Sequence, residues 1–175
     1  PTKPIRFVVG FPPGGSADLL ARLIGERIAA TLGQPVVVEN KVGAAGTIGA
    51  DAVAKAPPDG YTLLLGPTSS QAIAPSVYPK LPYDPARDFR PITLVATIPV
   101  ALVVHPGLRA QTPKDLISVA KAESLSFGST GTGAMAHLTA ELFQLEYGVR
   151  MVHVPYKGAS TAISDFLAGR VQLMF

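Results

Sequence analysis

Phe7-Val-Val-Gly-Phe-Pro-Pro-Gly-Gly-Ser-Ala-Asp18 decides how this chain is read. An apolar strand over 5–10 stops on Gly10, a Pro/Gly loop follows, and Ser16 opens a helix over 16–32. Such a junction presents backbone N–H groups at a helix N-terminus, where the helix dipole favours an anion. Gly14 and Gly15 permit close approach to the backbone, and Pro12 and Pro13 stiffen the path leading to them. The plainer alternative is a tight strand-to-helix turn and nothing more, so the rest of the chain has to decide.

Outward from that stretch, strand and helix signals alternate. Leu20, Leu23, Ile24, Ile28 and Leu32 recur at helical spacing and predict the buried face of the first helix. Gly33 suits its C-terminus, and Pro35 blocks continuation. Strands are expected over 35–40 and 61–66, with a short Ala-rich helix between them after Gly43-Ala-Ala-Gly46 and a loop over 67–70. The five prolines of residues 75–91 predict a surface connection with little regular structure. Residues 92–104 are uncharged and mostly apolar and read as a strand interrupted at Pro99, placed as a passage between two lobes. The pattern then repeats. Thr112-Pro-Lys-Asp115 is a helix start with Thr112 as N-cap and Pro113 at N1, running to about Glu123. Strands over 125–129, 151–154 and 171–175 alternate with helices over 134–147 and 160–168. The predicted class is α/β, with mostly parallel sheets carrying helices on both faces. The expected lobes are residues 1–96 and 97–175. Ligands of such sheets lie beyond the carboxyl ends of the strands. Two facing sets of polar loops there would form a cleft.

Composition narrows the function. Of 175 residues, 47% are hydrophobic and 15% charged, a globular balance. The formal charge is +3, but its fifteen Lys and Arg are dispersed singly without interleaved aromatics, which argues against nucleic acid. There is no cysteine, so disulfides, thiolate metal sites and a cysteine nucleophile are excluded. The uncharged stretch 91–106 is too short to span a bilayer. The opening Pro1-Thr-Lys-Pro, without an initiator Met or signal peptide, is expected of a mature, processed chain or an expressed portion.

Enzyme motifs fail on inspection. Gly131-Thr-Gly133-Ala-Met-Ala136 fits a loose dinucleotide fingerprint, yet the ribose-binding carboxylate expected about twenty residues on is replaced by Met151-Val-His-Val-Pro155. Phe127-Gly-Ser-Thr-Gly131 approaches a nucleophile elbow but carries Phe127 where the first glycine belongs. Of the three histidines, His105 and His153 read as packed or surface residues. His137, one turn into its helix, reads as facing the cleft or bonding to the preceding loop. No paired His, Asp or Glu stands at metal-ligand spacing. Loops over 14–18, 68–70 and 129–133 remain, offering hydroxyl and N–H donors beside helix starts. A carboxylate held by several donors gains roughly 0.5–1.5 kcal/mol per neutral bond and more as an anion. Lys157 could add a cation, or be a solvated surface lysine. Asp18 is expected to stabilise its own helix start, or else to accept from a ligand ammonium.

Five segments, in order, carry a resemblance: Gly10-Phe-Pro-Pro-Gly-Gly-Ser-Ala-Asp18, Val38-Glu-Asn-Lys41 with Gly43-Ala-Ala-Gly46, Pro58-Asp-Gly-Tyr61, Phe127-Gly-Ser-Thr-Gly-Thr-Gly133 and Val152-His-Val-Pro-Tyr-Lys-Gly158. The chain resembles the Bug (TctC-like) family, the solute-binding receptors of tripartite tricarboxylate transporters. What the resemblance implies is a type II periplasmic-binding-protein fold of two α/β lobes. Such a protein closes on a small carboxylate or amino-acid-like metabolite and delivers it to the membrane subunits of the transporter, without cofactor or chemistry. It also implies a periplasmic location in a Gram-negative bacterium, in a protein that does not itself span the membrane. The ligand contacts it carries over are Phe11, Pro12, Gly14, Gly15, Ser16 and Asp18, with Thr68 and Ser69 beside them. In the second lobe they are Ser129, Thr130, Gly131, Thr132 and Gly133, to which His137, Tyr156 and Lys157 are added. Family members are longer. After a strand like Val171-Gln-Leu-Met-Phe175 they complete the second lobe and return to the first, so a chain ending there is expected to bind weakly or not at all. The alternatives are an α/β enzyme acting on a small acid through Ser129 and His137, and a fragment without activity.

Overall fold

A computed structural model describes residues 1–175. The chain divides into two compact units, Pro1–Thr93 and Leu94–Phe175.

In the first unit, β1 (Ile5–Val9), β2 (Val36–Asn40) and β3 (Thr62–Leu65) form a parallel sheet in the order β2-β1-β3. Val8 pairs with Glu39 on one side and with Leu64 on the other. Alternation along β1 sends Phe7 and Val9 to one face, where α1 (Ser16–Leu32) covers them together with Val36, Val38, Leu63 and Leu65. Val8 is buried as well, and α2 (Thr47–Ala54) packs on β1 and β3.

The buried face of α1 differs from the one its leucines predict. Ala21, Gly25 and Asp18 are buried, whereas Leu23 and Leu32 are 58% and 44% exposed. The small residues win because the helix lies close to the sheet. A β-carbon on Gly25 would sit 3.1 Å from Val36 Cγ1, so a large side chain has no room on that line. Leu23 and Leu32 are left along an open groove with Ile28.

Residues 67–70 are not simply a loop. A helical turn, Ser69–Ile73, runs into α3 (Ala74–Val77), whose first turn accommodates Pro75 because that position needs no donated N–H. The proline-rich connection beyond it is anchored by Tyr83, which is buried and donates its hydroxyl to the Ser70 carbonyl at 2.6 Å.

The interrupted strand expected over 92–104 is absent except for β4 (Val103–Val104). Ile92 and Leu94 are 77% and 81% exposed. An apolar run becomes a strand only where a neighbour accepts its ladder bonds, and residues 92–102 pair with no strand.

In the second unit, β4, β5 (Leu125–Ser129), β6 (Met151–Pro155) and β7 (Leu173–Met174) form a sheet ordered β4-β7-β5-β6. It is parallel except for the antiparallel edge pair β4–β7. α4 (Pro113–Ala122) opens with the predicted cap made reciprocal: Thr112 Oγ1 accepts from the Asp115 N–H at 3.2 Å, and Asp115 accepts from the Thr112 N–H at 2.9 Å. Leu116, Leu125, Phe127, Ala140, Val149 and Leu173 make the core. α5 (Met135–Tyr147) closes on left-handed Gly148, and α6 (Ala159–Leu167) follows β6. No helix is long and apolar enough to cross a membrane.

Candidate functional site

In the first unit the site grows from the carboxyl end of β1. Gly14 takes a φ of +80°, a left-handed conformation suited to glycine, and the chain then turns into α1. The turn is locked from within by Asp18, whose side chain is buried. Asp18 accepts from the Gly14 N–H at 3.0 Å, from Arg22 Nε and Nη2 at 3.0 Å each, and from Asn40 Nδ2 at 2.9 Å. Asn40 also donates to the Phe11 carbonyl at 2.9 Å, fastening the loop at both ends. The Arg22 guanidinium, helped by the Gly14 N–H and the Asn40 amide, holds the Asp18 carboxyl at about 2, against burial, which pushes it up. With its oxygens engaged, Asp18 serves the loop and the helix start. The N–H groups of Gly15, Ser16 and Ala17 precede the first intrahelical bond, Leu19 N–H to the Gly15 carbonyl, and no side chain caps them.

The Asp18 geometry predicts a pH dependence with a fixed sign. The folded pKa lies below the ordinary 3.8, so its contribution is complete above about pH 4 and disappears as pH falls through about 2. The contribution is on the order of 1–2 kcal/mol, reduced from the full shift because Arg22 is half exposed. Urea unfolding of wild type and D18N at pH 7 and pH 2.5 checks it. The two midpoints are expected to differ at pH 7 and to draw closer at pH 2.5, as the folded pKa is approached; a gap independent of pH contradicts the assignment.

Beside this loop stands a turn that the sequence does not announce. Gly43, Ala44, Ala45 and Gly46 all have positive φ, at 141°, 46°, 53° and 92°. For the two alanines this left-handed conformation costs roughly 1–2 kcal/mol each. The strain is held by side chains: Ser69 Oγ donates to the Ala45 carbonyl at 2.8 Å, and Thr47 Oγ1 donates to the Ala44 carbonyl at 2.9 Å. The Phe11 ring packs over Gly46, where an added β-carbon would lie 3.3 Å from it. Ser69 therefore directs its hydrogen inward to the turn, while Thr68 stays exposed.

The second unit carries a corresponding junction after β5. Gly131 and Gly133 have φ of +130° and +77°. Ser129 is fully buried; its hydroxyl accepts from the Gly131 N–H at 3.2 Å and lies 2.6 Å from His153 Nε2. His137 Nδ1 accepts from the Gly133 N–H at 3.2 Å. The His137 and His153 rings stack at 4.1 Å, with Phe127 against His153 at 4.9 Å. Burial, and next the neighbouring His137, lower the His153 pKa, which Glu141 partly offsets. Leu138 N–H to the Ala134 carbonyl is the first intrahelical bond of α5, which leaves the Met135, Ala136 and His137 N–H groups ahead of it. Tyr156 donates its N–H to the Ser129 carbonyl at 3.0 Å and its hydroxyl to Asp165 at 2.8 Å, so the phenol is engaged within its own unit. Lys157 is exposed, as is Thr132.

His137 bonds to the loop, as one of the two sequence readings has it. The enzyme alternative paired Ser129 with His137; the structure pairs Ser129 with His153 instead, in a hydroxyl shut away from solvent. Asn40, Arg22, Ala45 and His153 went unnoticed as site-building residues. For Asn40 and His153 the available signal was position, since each ends or lies in the strand hydrogen-bonded to the loop-bearing one. No group of three or more His, Asp or Glu side chains could hold a metal ion.

Each unit thus carries a strand–glycine loop–helix junction on an α/β sheet, and the solved structures that superpose on the chain give its fold as that of periplasmic binding proteins. The Rhodopseudomonas palustris protein solved with adipate superposes at a TM-score of 0.96 with 40% identity, covering 99% of this chain and 59% of that one. MatC of the same organism, solved with bound malate, gives 0.91 at 33% identity, covering 99% and 60%. Protein BugT of Bordetella pertussis is 43% identical over 98% of this chain and 53% of its own length. Residues 20–175 match the model of the tripartite tricarboxylate transporter family receptor. The chain belongs to this TctC receptor family. It spans about half the length of the curated relatives it matches.

Proposed function

We propose that this chain is part of an extracytoplasmic solute receptor that captures a small carboxylate-bearing metabolite and delivers it to the membrane subunits of a tripartite transporter. The supporting observation is the doubled junction: uncapped N–H groups open α1 and α5, each behind a positive-φ glycine that an internal side chain locks. Backbone donors that are already fixed need no reorganisation when an anion arrives. Gly14, Gly15 and Ser16 in one unit and residues 130–133 in the other are the proposed contacts to a single carboxylate, with buried Ser129 holding the second loop from within. Phe11, Pro12 and Thr68 would shape the surroundings, with Lys157 as an added cation. Capture would proceed by hinge closure of the two lobes in the periplasm. Adipate and malate, bound by the two relatives, set the ligand class to try first.

A thermal-shift titration of the full-length receptor tests the reading. Adipate or malate should raise the melting temperature in proportion to the logarithm of ligand excess, and the corresponding diamides should not. If no mono-, di- or tricarboxylate shifts the transition, the receptor reading fails.

A further inference from the structure

We propose that His137 is a positioning residue that works only as a neutral acceptor: its Nδ1 holds the Gly133 N–H, and protonation of the ring releases the second loop and weakens its grip on a carboxylate. The proposal rests on the receptor reading for its ligand, and on this chain's geometry for its mechanism. A backbone N–H is an unambiguous donor, so the 3.2 Å contact requires a lone pair on Nδ1. The ring proton of the neutral form then sits on Nε2, which lies 3.5 Å from Glu141 Oε1. Adding a second proton turns Nδ1 into a donor facing a donor. The bond that fixes Gly133 at its φ of +77° is then lost.

The groups facing the ring define how it titrates. On its own helix there is Glu141, half exposed at its side chain. From β6 comes His153, stacked at 4.1 Å with 20° between the rings. From β5 comes Phe127, which is uncharged; Ser129 on the same strand bonds to His153. Two imidazoles in face contact resist carrying two charges, so the pair takes up its protons in separate steps. A proton on His153 is opposed by burial, yet it would leave the bond to Ser129 in place. Its Nε2–H would donate to Ser129 Oγ, whose own hydrogen turns to the Gly131 carbonyl 3.3 Å away. A proton on His137 has no such relay.

The first unit supplies the control. The same helical position, third in α1, holds Asp18, which accepts from the Gly14 N–H and stays ionised down to about pH 2. One loop is thus locked by a carboxylate and the other by an imidazole nitrogen.

The experiment uses the full-length receptor with adipate as the probe between pH 8 and pH 5.5; at the lower limit about half of the diacid still carries both charges, a change of no more than about twofold that the H137N profile also contains. Calorimetry and hydrogen exchange of the Gly133 amide are followed together, with H137N and H137Q. Asparagine places an acceptor oxygen near the Nδ1 position that protons do not remove; glutamine places its oxygen further out. The expected result is about a tenfold loss of wild-type affinity across the range, the worth of one lost hydrogen bond. Gly133 protection should fall as His137 titrates. H137N should bind within about threefold of wild type at pH 8 with a profile flat apart from that change in the diacid, and H137Q should bind weakly throughout. A flat wild-type profile, or the wild-type pH dependence persisting in H137N, overturns the proposal. Gly133 protection that ignores His137 titration overturns the lock itself, whereas a receptor that binds no carboxylate at pH 8 refutes the receptor reading instead.

Discussion

The Gly10→Ala variant will lose about 3 kcal/mol of stability, a large share of what a domain of this size has. The cost is one of space. A β-carbon at position 10 would lie 2.6 Å from Gly46 Cα and 2.8 Å from the Gly46 carbonyl oxygen, and backbone atoms of a strained turn cannot swing aside as a flexible side chain would. Gly49 approaches from the other direction, where its own β-carbon would meet Gly10 Cα at 2.9 Å. Three glycines thus let the end of β1, the left-handed turn and α2 nest together. Prising them apart also displaces Phe11 from Gly46, so carboxylate binding should disappear with the stability. Urea denaturation of the full-length protein reads the first effect. A Gly10→Ala midpoint equal to wild type would show that the close approach of β1 to Gly46 is wrong.

The Phe127→Ala variant should be costlier still, by about 3–5 kcal/mol. Phe127 is fully buried among Leu116, Ala140 and Leu173, and its ring meets Phe175 edge-on at 6.2 Å. It also forms the wall behind His153. Its removal leaves a cavity that the surrounding β5, α4 and α5 close only in part. Burial is the first cause of the lowered His153 pKa, so loosening that wall should let the ring titrate at higher pH. Phe127→Leu keeps most of the volume and should cost far less. Unfolding midpoints together with histidine proton resonances check both effects. A Phe127→Ala protein that is destabilised while His153 titrates unchanged would contradict the shielding role.

The elements legible in the sequence are those with local causes. The first helix spans Ser16–Leu32 and β5 spans Leu125–Ser129, both as expected, because glycine stops, a following proline and apolar runs act within a few residues. The Thr112–Asp115 capping box is equally local. What escaped depends on partners distant in the chain. Leu23 and Leu32 outrank Ala21 and Gly25 in hydrophobicity, yet the distance of α1 from Val36 selects the small residues. Residues 92–102 carry the composition of a strand without a neighbour to pair with. Ala44 and Ala45 give no hint of left-handed backbone, since Ser69, 24 residues on, holds the turn. Within the site, the glycines and the helix starts were visible, whereas Asn40 reaching Asp18 and His153 reaching Ser129 required the strands to be aligned first.

Amide resonances of the full-length receptor, followed as adipate is added, test most directly whether backbone donors at the starts of α1 and α5 take hold of the ligand. Gly15, Ser16 and Ala17 should shift together with Thr132, Met135 and Ala136, all with one midpoint and one equivalent of ligand. Shifts confined to a single loop, or found only away from both helix starts while adipate binds, would contradict a shared backbone clasp.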